Sequence, residues 1–199
     1  MKVRQERRPY RMGARASAAA ATGERVLDAA TEVFWEMPSD HISLEEVARR
    51  SGVSVQTVIR HFGGKDGLLA AASAREAGRV RAQRDEAPVG DTAAAIRVLV
   101  EHYENTADQV LKMLAEEQRV PALREIVDRG RAMHRDWCAR VFSPALTDRV
   151  GVERRRRLAQ LVAVCDIYTW KLLRRDAGLS RRQTELALVE LVQPLLEVP

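Results

Sequence analysis

The chain has 199 residues, 46% hydrophobic and 31% charged but only 5% aromatic, with a formal net charge of +5. A fold of this size can bury roughly 70% of its unfolded surface, and the abundance of Ala, Leu, Val, Arg and Glu favours helices over a sandwich or barrel. Cys138 and Cys165 are the only cysteines, too few for a disulfide framework or a thiolate zinc site, which suits a reducing cytoplasm, and the apolar runs fall far short of the ~20 residues that cross a bilayer.

The positive charge is concentrated at the start, where residues 1–15 carry six basic residues against one acidic. Residues 1–21 therefore read as a flexible basic arm, suited either to phosphate contact or to no ordered role. Thr22 can cap a first helix in which Val26, Leu27, Ala30, Val33 and Phe34 recur at helical spacing, ending before Pro38. Ser43 and Glu46 have the spacing of a capping box and open a short helix, Leu44 to about Ser51, closed by Gly52 in a left-handed cap. Ser54 caps a third helix, Val55 to about Phe62, which Gly63-Gly64 ends, and a fourth runs from Lys65 to about Glu86. Pro88-Val89-Gly90 separates this block, residues 22–87, from residues 91–199, where helices are expected over 91–104, 106–118, 121–142, 152–176 and 181–197. Ser180 and Gln183 form a second capping box.

Two short helices joined through a glycine turn make a helix-turn-helix, whose second helix is brief enough to enter the major groove of DNA. In "GVSVQTVIRHFGGKDGLL", Val58, Ile59 and Phe62 read as anchors, leaving Val55, Gln56, Thr57 and Arg60 to meet base edges and phosphates. Spacing alone also allows a helical hairpin with a solvated face.

"TGERVLDAATEVF" and "ISLEEVARRSGVSVQTVIRHFGGKDGLL" resemble the TetR family of transcriptional regulators: an amphipathic first helix, a Ser-started second, a Gly-Val-Ser turn, a recognition helix ending in His-Phe and a Lys opening helix four. The motif covers about residues 22 to 70; the remainder is similar in length and helical plan. The resemblance implies an all-α fold of about nine helices, a DNA-binding domain followed by a ligand-binding and dimerisation domain. It implies a homodimeric regulator of a double-stranded DNA operator, released by an unknown small-molecule effector, cytoplasmic, without membrane, cofactor, metal or catalytic role. By position it assigns DNA contact to Val55, Gln56, Thr57, Arg60 and His61, with Ser43 and Lys65 on phosphate. The chain departs from the family at Ile59, where Tyr is common, and at Met37-Pro38-Ser39-Asp40, where a glycine is usual.

In the second domain, Leu158, Leu161, Cys165, Tyr168 and Leu172 form one near-heptad stripe. Ala159, Val162, Ala163, Asp166, Trp170 and Leu173 lie on the opposite face, so this helix reads as buried on two sides. With Leu186, Val189, Val192 and Leu196 of the last helix the first stripe suggests a subunit interface, the alternative being a monomeric core; in the TetR family the last two helices pair into a dimer bundle. His134 and Cys138 read as a packed pair beside Trp137 rather than half a metal site, and His41 and His102 as surface or cap residues. Asp166 interrupts the most apolar run and needs either an internal partner or a ligand. Tyr103, Met113, Met133, Trp137, Asp166 and Trp170 combine aromatic and flexible apolar surface with one acid, the composition expected of a ligand pocket, here for a largely apolar ligand with a cation or hydrogen-bond donor meeting Asp166. The rival readings are a protein-interaction module and a small enzyme in the C-terminal bundle, for which no convergent titratable set can be assembled.

Overall fold

The computed structural model describes residues 8–37 and 41–197, with side chains from residue 16 onward. Among the described residues there are nine α-helices and no strand: α1 (Arg8–Glu36), α2 (Leu44–Ser51), α3 (Val55–Phe62), α4 (Lys65–Asp85), α5 (Thr92–Glu116), α6 (Pro121–Val141), α7 (Gly151–Val164), α8 (Ile167–Lys171) and α9 (Arg181–Leu196). A 3-10 turn (Ser143–Leu146) precedes α7, and a π turn (Leu172–Asp176) continues α8. The described residues divide into two compact units, up to residue 75 and from residue 76 onward.

Several boundaries differ from those expected. Thr22 caps nothing: its hydroxyl donates to the Ala18 carbonyl at 2.9 Å inside a helix that began at Arg8. The backbone of residues 8–21 is thus helical and not a flexible arm, while residues 1–7 lie outside the described residues, as do Pro38, Ser39 and Asp40 of the link to α2. The two segments expected over 91–104 and 106–118 are one helix, α5, because Thr106 turns its hydroxyl back onto the His102 carbonyl at 2.7 Å and nothing breaks the turn. Asp91 does cap α5, accepting from the Ala94 amide at 2.9 Å.

The first unit packs Val26, Leu27, Ala30 and Val33 of α1 on Val47 and Ala48 of α2, Val58 of α3 and Leu68 and Ala72 of α4. Ion pairs fix the helices to one another. Arg50 reaches Glu36 at 2.6 Å and so ties α2 to α1, and Arg75 of α4 reaches Asp28 at 2.9 Å and Glu24 at 3.2 Å on α1. The second unit surrounds Ile96, Leu99, Val100 and Tyr103 of α5 with Trp137 and Cys138 of α6, Leu161 of α7, Trp170 of α8 and Leu188 and Val192 of α9. Both halves of the Ser180–Gln183 capping box form, at 3.3 and 3.0 Å, at the start of α9.

The long helix expected over 152–176 is broken. Asp166 takes an extended conformation (φ −75°, ψ 154°) and accepts the Tyr168 amide at 2.9 Å, ending α7 and starting α8. Thr169 fixes the break by donating to the Ala163 carbonyl at 2.7 Å. The near-heptad stripe is therefore split. Leu158, Leu161 and Cys165 are buried in the unit's own core with Val192, whereas Tyr168, Leu172 and Leu186 are exposed and Val189 and Leu196 half-buried.

Candidate nucleic-acid interface and buried arginine core

The recognition geometry starts from α2. Ser43 accepts the Glu46 amide at 3.2 Å, but the Glu46 carboxylate does not turn back to complete a box. It takes Arg49 at 2.6 Å and Arg50 at 2.7 Å, and these two guanidiniums hold its pKa at about 2. Gly52 then adopts φ 69°, a left-handed conformation in which a side chain is strained, and reverses the chain into Ser54. Ser54 accepts the Thr57 amide at 3.2 Å and starts α3, which Gly63 closes at φ 78°.

On α3, Val58 is fully buried, and Val55 and Phe62 pack against the same core. Gln56, Arg60 and His61 are exposed, Thr57 is half-buried, and Lys65 is exposed at the start of α4. Ile59 is the one anchor misassigned: it is 41% exposed and lines a shallow groove with Ser54, Gln56, Thr57 and Arg60. The sequence placed it inside because it is apolar, but at 100° per residue it follows Val58 away from the core. Donors, acceptors and one branched apolar group thus share a single open face of a short, capped helix.

Residues 26–72 match the family model described as bacterial regulatory proteins, tetR family. A transcriptional regulator from Rhodococcus sp. RHA1 is 25% identical, superposing at a TM-score of 0.66 over 89% of this chain and 99% of that one. Residues 26–72 thus carry the DNA-binding domain of the tetR family. SmeT, solved as a complex with triclosan (20% identity, 90% and 95% coverage, TM-score 0.67), shares the fold. So does NalD of Pseudomonas aeruginosa, described as the secondary repressor of the MexAB-OprM multidrug efflux pump (20%, 89% and 95%, 0.57). No curated protein matches the chain in sequence.

The second unit brings Tyr103, Trp137 and Trp170 together, with Tyr103 and Trp170 ring centroids 5.9 Å apart. Met113 and Met133 are half-buried and stand outside that core, and Asp166 spends one carboxylate oxygen on the cap of α8. Asp166 therefore has an internal partner, the backbone of α8. His134 stacks on Trp137 at 6.2 Å and lies 3.8 Å from the Cys138 sulfur, the packed pair anticipated from spacing. Among the described residues no group of His, Cys, Asp and Glu could hold a metal.

At the centre stands a residue that sequence reasoning missed. Arg84, in the last turn of α4, is 4% exposed, with its guanidinium 5.5 Å from the Tyr103 ring centroid and 5.4 Å from that of Trp137. It donates to His134 Nδ1 at 2.9 Å, which requires a bare lone pair there and puts the ring proton on Nε2, 3.3 Å from the Val162 carbonyl. The Arg84 carbonyl accepts from Trp137 Nε1 and from Arg140, both at 3.0 Å, so the end of α4 is tied to α6. His102 is also buried, contrary to its reading as a surface residue: burial first, then the Arg84 charge, lower its pKa to about 3. Burial likewise pushes the Tyr103 phenol up, and its hydroxyl donates to the Cys165 carbonyl at 3.0 Å.

The guanidinium is only partly compensated. A buried charge costs several kcal/mol, whereas two ring faces contribute about 0.5–2 kcal/mol each and one charge-assisted bond about 1.5–3 kcal/mol. Arg84 Nε finds no partner, nor do His102 Nδ1 and Trp170 Nε1. Nothing local announced this in the sequence, where Arg84 is one of several arginines along α4. Its burial comes from rings on α5 and α6.

Proposed function

We propose that the chain is a repressor that binds a palindromic operator as a homodimer and is released by a small molecule held in its second unit. The carrying observation is α3, held by Val58 and capped by Ser54 so that Gln56, Ile59, Arg60 and His61 face outward together. The match of residues 26–72 to the tetR family model supports DNA binding, and the descriptions of SmeT and NalD support a ligand-bound repressor. Function as a regulator and not an enzyme, in the cytoplasm where the operator is, follows from the same reading.

The apolar side chains left exposed on α8, its π continuation and α9 supply a dimer surface: Tyr168, Leu172, Leu186 and Leu191. Each is already about half buried, so covering the remainder contributes about 1 kcal/mol per side chain before the cost of association. A two-fold dimer calls for half-sites about 34 Å apart, or a multiple of that. Because α4 begins at Lys65 and ends one residue past Arg84, a ligand in the second unit acts on the same helix that follows α3. To loosen DNA tenfold it must favour the DNA-incompetent arrangement by about 1.4 kcal/mol. The test is selection of binding sites from random duplex DNA, then sedimentation of the complex. A palindromic consensus bound by two protomers is expected; a non-palindromic site bound by one protomer would refute the homodimer.

A further inference from the structure

We infer that the second unit receives a small organic acid, its carboxylate on Arg84 and its apolar body against the surrounding rings. This deepens the effector reading above and rests on it for the link to DNA; the chemistry of the site rests on its own residues.

The comparison with other arginines of the same unit is the first ground. Arg131 pairs with Glu117 at 2.7 Å, Arg149 with Glu153 at 3.3 Å and Arg174 with Glu104 at 2.8 Å. Arg84 is as buried as Arg149, yet among the described residues no carboxylate lies within ion-pair reach of it. It donates to a bare imidazole nitrogen and faces two rings, which leaves its charge without a counter-ion.

The second ground is convergence. Arg84, His102 and Trp170 each carry a buried nitrogen without a partner, and each packs against one ring, Tyr103, at 5.5, 5.5 and 5.9 Å. Natural cores satisfy nearly all such groups, so three around a single side chain mark a place where something accepts hydrogen bonds. The residues exclude other occupants in turn. A cation meets a guanidinium that already occupies the faces of Tyr103 and Trp137. Water could serve Nε but would leave the charge unpaired. Asp166, the nearby acid, is engaged by the Tyr168 amide. A carboxylate accepts in a fork from a guanidinium and neutralises it, and the rings favour an organic body over an inorganic anion.

The test uses the full-length protein and defined probes: phenylacetate and octanoate, each against its own amide, with inorganic phosphate as the bare-anion control. Calorimetry should show an acid binding at least tenfold more tightly than its amide, with phosphate weaker than the acid. In Arg84→Met that preference should fall to near one, while Arg84→Lys keeps part of it. In nitrogen-15-labelled wild type, which needs no variant to fold, the acid should shift a solvent-protected arginine Nε–H resonance that the amide leaves in place. Equal affinity for acid and amide, no binding of either acid, an unmoved Nε–H signal, or an acid preference that survives Arg84→Met would each overturn the inference. The two readings separate on operator DNA. Acids that bind through Arg84 without releasing DNA defeat the effector role alone. A neutral or cationic inducer indifferent to Arg84→Met defeats the acid site alone.

Discussion

Gly67, in the first turn of α4, lies so close to the Phe62 carbonyl at the end of α3 that a Cβ would overlap the oxygen. The gap exists because Gly63 and Gly64, both at positive φ, fold the chain back at once from one helix into the next. Gly67→Ala must therefore push the start of α4 away from the recognition helix. Overpacking of this kind costs about 1–3 kcal/mol. Because the other side of this contact is the end of α3, DNA affinity should fall by an order of magnitude or more even where the protein stays folded. Circular dichroism alongside a mobility-shift titration checks this: a variant with wild-type DNA affinity would show that α3 does not depend on the contact.

On the reading face the residues should divide by role. Gln56 and Arg60 present hydrogen-bonding groups to base edges, and Ile59, being exposed and apolar, is suited to a thymine methyl. Gln56→Ala and Ile59→Ala should each change which bases are preferred, by about 1–3 kcal/mol for the polar contact and less for the apolar one. Lys65→Ala should instead weaken every sequence alike and reduce the salt slope by about one. Site selection repeated with each variant at two salt concentrations distinguishes these outcomes. A Gln56→Ala protein with the wild-type consensus would remove Gln56 from the readout.

Much of the first unit was legible because its determinants are local. Ser43, Ser54, Gly52 and Gly63 act on their own neighbours, and the spacing of Val26, Ala30 and Val33 reports a single face. The second unit was less legible at two places for opposite reasons. Asp166 was read as an intruder in a helix because periodicity continues across it, although an aspartate preceding a turn is equally a cap. Arg84 was passed over because burial by partners from other helices leaves no trace in its own segment.

The break at Asp166 changes the assembly prediction. Leu161 is fully buried in its own unit, so Leu161→Arg should unfold that unit, at a cost of several kcal/mol for the unpaired charge, and not merely split a dimer. Tyr168 and Leu172 are 52% and 61% exposed, so Tyr168→Arg and Leu172→Glu should leave the thermal transition of the protomer in place while lowering self-association by at least tenfold. Sedimentation equilibrium with calorimetry makes the comparison. Dimers as tight as wild type in both exposed-site variants would move the interface elsewhere.

His102 supplies a pH dependence whose window is set by its own shift. Its pKa falls from 6.5 to about 3 on folding, mainly through burial and then through the Arg84 charge. The unfolded chain therefore takes up a proton near pH 6.5 that the folded chain refuses until about pH 3. Stability contributed by the neutral, buried ring is fully present above pH 6.5 and is lost progressively as pH falls towards 3, at a limiting slope of about 1.4 kcal/mol per pH unit. Glu46 acts in the same direction but only below its ordinary value of 4.5, because Arg49 and then Arg50 hold it at about 2. Between pH 6.5 and 5 the two groups are thus separable. His102→Leu removes both the titration and the unpartnered Nδ1, so it should match or exceed wild-type stability at pH 5 and show a shallower slope across that interval. Urea denaturation of both proteins at half-unit pH steps measures the difference directly. Parallel slopes would mean that His102 reaches solvent, and that the cluster around Tyr103 is open at that side.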